Sequence, residues 1–127
     1  MRNLLSARGI AVPGLVLENG CGLSRVERIT VATLGNVLSD AWTSQWMPEL
    51  MASLPISGVD GTMKARNVPP GVAHMKTGML EDTRAVAGYV LAASGRRYVV
   101  VAIINHANAG RATGAHDALI EWVFRTG

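Results

Sequence analysis

The sequence has a single cysteine, Cys21, in 127 residues. That excludes an internal disulfide and any metal site built from several thiolates. It has only two lysines, Lys64 and Lys76; the other ten of its twelve basic residues are arginines scattered from Arg2 to Arg125. No basic cluster is interleaved with aromatic residues, so a net charge of +3 gives no case for nucleic-acid binding. No apolar run approaches the roughly 18 residues that a membrane-spanning helix needs. Pro13-Gly14 interrupts the apolar N-terminal stretch, and no small-x-small cleavage site follows it. Glu18 and Asn19 stand where a lipoprotein processing site at Cys21 would want small apolar residues, so no export signal is read. Internal repeats and low-complexity stretches are absent, and no metal or organic cofactor is implied.

What is present suits one domain with a real core, since 49% of the residues are hydrophobic. Leu4, Leu5 and Ala7 before Arg8-Gly9 predict a helical turn stopped by glycine. Ile10 to Leu17 predicts a short extended segment broken at Pro13-Gly14. Glu18 to Arg25 is a loop in which Gly20 and Gly22, on either side of Cys21, predict tight backbone turns. Thr30 is a helix N-cap, and Val31, Leu34, Val37, Leu38, Ala41 and Trp42 recur on one core-facing side. A second helix is predicted from Trp46 to Ser53, with Pro48 in its first turn; its methionines and tryptophans are packing residues.

Pro55 to Gly71 has little periodicity, with Gly58-Val59-Asp60-Gly61-Thr62 its clearest turn. Three strands follow: one through Lys76-Thr77-Gly78, one from Ala85 to Ala93, and one from Arg97 to Asn105 after a turn at Ser94-Gly95-Arg96. The run Tyr98 to Ile104 is apolar enough to be buried on both faces of a helix-covered sheet. A final helix from about Ala112 to Arg125 presents Ala115, Leu119, Trp122 and Val123 to that sheet. The class is α+β, with about three antiparallel strands and helices packed on them.

The chemistry concentrates at Lys76-Thr77-Gly78. An ammonium and a hydroxyl at a strand edge hold an anion or carboxylate, and glycine lets a ligand approach the backbone. Glu18-Asn19-Gly20-Cys21-Gly22-Leu23-Ser24-Arg25, Ser53-Leu54-Pro55-Ile56-Ser57-Gly58-Val59-Asp60-Gly61-Thr62 and Lys76-Thr77-Gly78, in this order and spacing, resemble the penicillin-binding D-alanyl-D-alanine carboxypeptidase/endopeptidase family.

The resemblance covers nearly the whole chain and implies a β-lactamase/transpeptidase-like fold. It further implies serine acyl transfer on peptidoglycan stem peptides ending in D-Ala-D-Ala, with β-lactams as ligands of the intact enzyme. Carried over, Lys76 supplies positive field, Thr77 holds the substrate carboxylate, and Gly78 keeps the strand edge open. The Met79 amide is one of two oxyanion donors, a type of contact worth about 3 kcal/mol. Asp60, Gly61, Gly20, Cys21 and Gly22 support the loops around the cleft.

Two departures matter. The family's Ser-x-x-Lys and Ser-x-Asn motifs are absent: no serine here has lysine three residues on or asparagine two residues on. In the family both precede the glycine loop, so residues 1–127 are read as a truncated C-terminal part of the penicillin-binding domain, catalytically silent alone. Its partner is then the missing N-terminal part of the same protein. Cys21 stands where the family usually has serine.

The alternative is a non-catalytic module that binds peptidoglycan peptides or self-associates through a sheet edge left unpaired beside the Lys-Thr-Gly strand. A third reading makes Cys21 a nucleophile served by His74, His106 or His116. The bland roles of these histidines are a strand position, a strand end and a helix surface. Arg25 and Arg84 are candidates to neutralise buried carboxylates. The family implies a periplasmic or extracytoplasmic parent protein.

Overall fold

The structure, a computed structural model, describes residues 1–22 and 24–127. Helix α1 (Arg2–Ala7) ends at Gly9, whose φ of +71° reverses the chain. Buried Leu5 then meets Ile10 and Leu15 in a small satellite core against Val37. The segment after it is less regular than its β-branched content predicts. A turn at Pro13-Gly14 leaves one isolated bridge, Val16 to Arg28, in place of a strand.

Helix α2 (Val31–Trp42) starts where expected. The Thr30 hydroxyl accepts from the Thr33 amide at 3.0 Å, and the buried Thr33 hydroxyl donates to Ala11 O at 3.2 Å. Its core-facing stripe is narrower than the spacing suggested, because Val31 and Trp42 at the two ends are exposed. Helix α3 (Met47–Ser53) follows, with proline in its first turn.

Strands β1 (Ala73–Met79), β2 (Thr83–Leu91) and β3 (Arg97–Asn105) form an antiparallel meander in the order β1-β2-β3. Helix α4 (Thr113–Thr126) returns across one face. There Ala73, Met75, Val86, Val90 and Val100 pack with Ile120 and Val123, closed by Met63 and Val68 of the long loop. On the other face Tyr89 packs with Leu38 of α2 and Leu54, and its hydroxyl donates to Leu38 O at 2.7 Å. The sheet is therefore covered on both faces.

The apolar β3 is an outer strand, half-buried except at buried Val100 and exposed Asn105, and the strand between two partners is β2. β1 and β3 are thus both edge strands: β3 has no strand partner on its outer side among the described residues, and the outer edge of β1, beside the Lys-Thr-Gly segment, is bridged only near its start through Ile56 and His74. On α4 the inward residues are His116, Asp117, Ile120 and Val123, whereas Ala115 and Trp122 face solvent. His116 is thus a core residue and not a surface one.

The loop from Pro55 to Gly71 is tied to the start of β1 through Ser57, which is fully buried. The Ser57 amide donates to Ala73 O at 2.9 Å. Its hydroxyl donates to Pro69 O at 2.8 Å and accepts from the Ala73 amide at 3.1 Å. The Met75 amide donates to Pro55 O at 2.9 Å. This loop therefore behaves as a short fourth edge along the first half of β1.

Candidate active-site wall on strand β1

Alternation along β1 sends Ala73, Met75 and Thr77 towards α4 and His74, Lys76 and Gly78 towards α2. The loop covers the outer edge of β1 only as far as Met75, so among the described residues the edge from Lys76 to Met79 has no backbone partner and is open. The Lys76 ammonium is exposed and donates to Thr77 O at 2.6 Å. The Thr77 and Thr62 hydroxyls are 2.9 Å apart and hydrogen-bonded. Gly78 lies opposite Ala85 in the ladder, and Met79, opposite Arg84, is 72% exposed.

Thr62 reaches Thr77 because the loop turns sharply beneath it. The Asp60 carboxylate accepts from the Ile56 amide at 2.7 Å, and a short 3-10 turn runs from Gly61 to Met63. Gly61 has a φ of +49° and packs against Pro55, where a side chain would crowd the ring. Asp60 and Gly61 thus shape the loop and present Thr62. The sequence reading did not single out Thr62, although the offset between the second and third motifs places it beside β1.

The first motif lies by the β1–β2 turn, near the same end of the hairpin as the Lys-Thr-Gly segment. Ser24 and Arg25, with Arg28, face Leu80, Asp82 and Thr83 across a cavity of about 440 Å3. Gly20, Cys21 and Gly22 shape its exposed loop, with φ values of +66° and +75° at the two glycines. Asn19 Oδ1 accepts from both the amide and the thiol of Cys21, at 3.0 and 2.9 Å. Leu23 of this motif lies outside the described residues.

None of the histidines serves Cys21. His74 Nδ1 is 3.4 Å from Met51 O, His106 Nδ1 accepts from the Asn108 amide at 3.0 Å, and His116 is in the core. Nor do Arg25 and Arg84 meet a buried carboxylate. Arg84 donates to the carbonyls of Leu80 and Thr83, latching the β1–β2 turn. The buried carboxylate is Asp117, and its partner is Arg66, at 2.6 Å. Among the described residues, no group of three or more His, Cys, Asp and Glu side chains is placed to hold a metal ion, and no helix is long and apolar enough to cross a membrane.

His116 lies beside that ion pair. Burial, and then the Arg66 charge, hold its imidazole below the ordinary histidine range, with Asp117 opposing in part. Its protonation is therefore easier in the unfolded chain than in the folded one. This contribution to stability is complete above about pH 6.5 and is lost as the pH falls towards the lower folded-state value, by at most about 1.4 kcal/mol per pH unit. Urea unfolding at pH 7.5 and pH 5 tests this. The wild-type midpoint should fall more than that of His116→Gln, and equal falls would remove the linkage.

A model of the D-Ala-D-Ala carboxypeptidase 3 (S13) family matches residues 1–125. The chain is 34% identical over 116 residues to a D-alanyl-D-alanine carboxypeptidase from an Actinomadura species, covering 85% of this chain and 21% of that protein. It is 32% identical over 115 residues to the carboxypeptidase DacB of Haemophilus influenzae, covering 87% and 24%. The crystal structure of penicillin binding protein 4 (dacB) from Haemophilus influenzae, complexed with a β-lactam, superimposes with a TM-score of 0.84 at 26% identity, over 98% of this chain and 32% of that one. The chain spans 21% and 24% of the length of the two curated relatives.

Proposed function

The chain belongs to the D-Ala-D-Ala carboxypeptidase 3 (S13) family, and on that premise we propose that it is the C-terminal part of the penicillin-binding domain of an extracytoplasmic serine carboxypeptidase. In this reading it supplies the Lys-Thr-Gly wall of a cleft that takes peptidoglycan stem peptides ending in D-Ala-D-Ala. The observation that carries the reading is the open edge of β1, which begins where the loop's pairing ends, at Lys76.

An extended peptide can add to such an edge through main-chain hydrogen bonds. Lys76 leaves the Thr77 carbonyl to meet the incoming negative charge, and Thr77, held by Thr62, donates its hydroxyl to the terminal carboxylate. Gly78 leaves room for the peptide backbone. The Met79 amide points its dipole at the oxyanion that forms when the carbonyl is attacked.

The nucleophile and its base are supplied by the rest of the domain, because no Ser-x-x-Lys or Ser-x-Asn occurs here. Incubation of the chain with a fluorescent penicillin should leave its intact mass unchanged, and a covalent adduct would overturn the assignment.

The open β3 edge favours a second reading, association of chains edge to edge. A sedimentation coefficient that rises with concentration is its signature, and a constant one rules it out.

A further inference from the structure

The loop of the first motif contains Asn19-Gly20, and of the six asparagines in the chain Asn19 alone is followed by glycine. Asn19 Oδ1 accepts from the amide of Cys21, two residues on, so its carboxamide is folded back over the intervening Gly20 peptide. The Cys21 thiol donates to the same oxygen at 2.9 Å. Two donors thus converge on the oxygen that gains negative charge when the carboxamide carbon is attacked. The Gly20 amide, which lies beneath that carbon, donates to Glu27 Oε1 at 3.3 Å. The same oxygen accepts from the Glu18 amide at 3.4 Å. Around Gly20 the space is open: apart from its chain neighbours, no described heavy atom lies within 4 Å of where a Cβ would stand. Asn19, Gly20 and Cys21 are exposed to water, whereas Glu27 is half-buried.

We infer that Asn19 is a self-modification site, at which Glu27 and Cys21 promote cyclisation of the carboxamide onto the Gly20 nitrogen and its conversion to a carboxylate. Glu27 takes the Gly20 N–H proton. The nitrogen bonds to Asn19 Cγ while the Cys21 amide and thiol hold the oxygen of the tetrahedral centre. Collapse breaks the Cγ–Nδ2 bond, and Nδ2 leaves as ammonia with the proton that Glu27 returns. Nothing is oxidised or reduced. Water then opens the cyclic imide. Opening at Cγ leaves aspartate at position 19, and opening at the backbone carbonyl leaves isoaspartate, whose main chain is longer. An ordered loop ordinarily slows such a cyclisation, because the peptide must turn to present its nitrogen. Here the carboxamide already lies over that peptide and the base is in place. Either product sets a new negative charge near Glu27, in the loop that borders the cavity of about 440 Å3. The step is independent of the function proposed above.

The test holds the full chain at pH 7.5 and 37 °C with a reductant, folded in buffer or unfolded in guanidinium chloride, and samples it over days. Trypsin releases the peptide Gly9 to Arg25, in which Asn19 is the only asparagine. Mass spectrometry reads the exchange of amide for acid there, and released ammonia gives the rate independently. The other asparagines, none followed by glycine, are the internal reference. The folded chain should convert about tenfold faster than the unfolded one, and Glu27→Gln should fall to the unfolded rate. Glutamine keeps an oxygen that accepts from the Glu18 and Gly20 amides but takes no proton, so a merely structural role for Glu27 would leave the rate unchanged. Should that variant fail to fold by circular dichroism, Cys21→Ala takes its place, and the loss of one donor should slow conversion about tenfold. Conversion no faster in the folded chain than in the unfolded one overturns the proposal. So does a wild-type rate in the variant that is read.

Discussion

A Gly88→Ala chain loses its native sheet. Gly88 lies mid-way along β2, opposite Met75, and a Cβ there would sit 2.1 Å from His74 O and 2.8 Å from Met75 Cα. Both are backbone atoms of the paired strand, so no rotamer change relieves the contact. Relief requires β1 to move away from β2, which breaks ladder bonds and opens the packing of Met75 against Val86 and Val90. Overpacking a core side chain costs about 1–3 kcal/mol. A clash with main chain belongs above that range, against a total stability of only about 5–15 kcal/mol. Far-UV circular dichroism and urea unfolding measure the result, and a wild-type midpoint would show that β1 and β2 separate at little cost. The consequence reaches function directly, since the strand displaced is the one that carries Lys76 and Thr77.

Removal of one partner of the Arg66–Asp117 pair is the second large effect. Both side chains are about nine-tenths buried, at 11% exposure each, and the pair joins the long loop to α4 across 51 residues of sequence. Asp117→Leu leaves a buried guanidinium uncompensated and orphans the Asn67 amide, an expected loss of about 3–5 kcal/mol. The double variant Arg66→Met with Asp117→Leu should recover most of that loss, because buried ion pairs contribute little net stability over apolar groups of similar volume. A double-mutant cycle in urea reads the coupling. Additive losses would mean that the two charges do not act as a pair. On this account the pair sets where the loop docks on α4, and so where Thr62 stands relative to Thr77.

Local signals were legible in the sequence because their causes are local. The Thr30 cap, the glycine after α1, the proline in α3 and the turn at Ser94-Gly95-Arg96 each act within a few residues, and each lies where expected. The Lys-Thr-Gly strand was legible for the same reason. The face of α4 was legible only in part. Of the expected Ala115, Leu119, Trp122 and Val123, Val123 is buried and Leu119 packs half-buried against the core, but Ala115 and Trp122 face solvent and the buried stripe runs through His116, Asp117 and Ile120. What selects it is Arg66, from a loop 51 residues away, which makes an inward Asp117 tolerable. Thr62 escaped notice because its partner hydroxyl is 15 residues on, and a cavity beside it is assembled from four separate segments.

The meander described above has a bearing on the order of folding. β1, β2, β3 and α4 follow one another along the chain, each packing on an element close in sequence, so residues 73–127 close only short loops to form a sheet with one face covered. Short loops cost little entropy and form quickly. The other face waits for α2, whose Leu38 carbonyl must reach Tyr89 from 51 residues upstream. Assembly would then run from the C-terminus backwards, with the cleft-facing strand in place before the loop that braces it arrives.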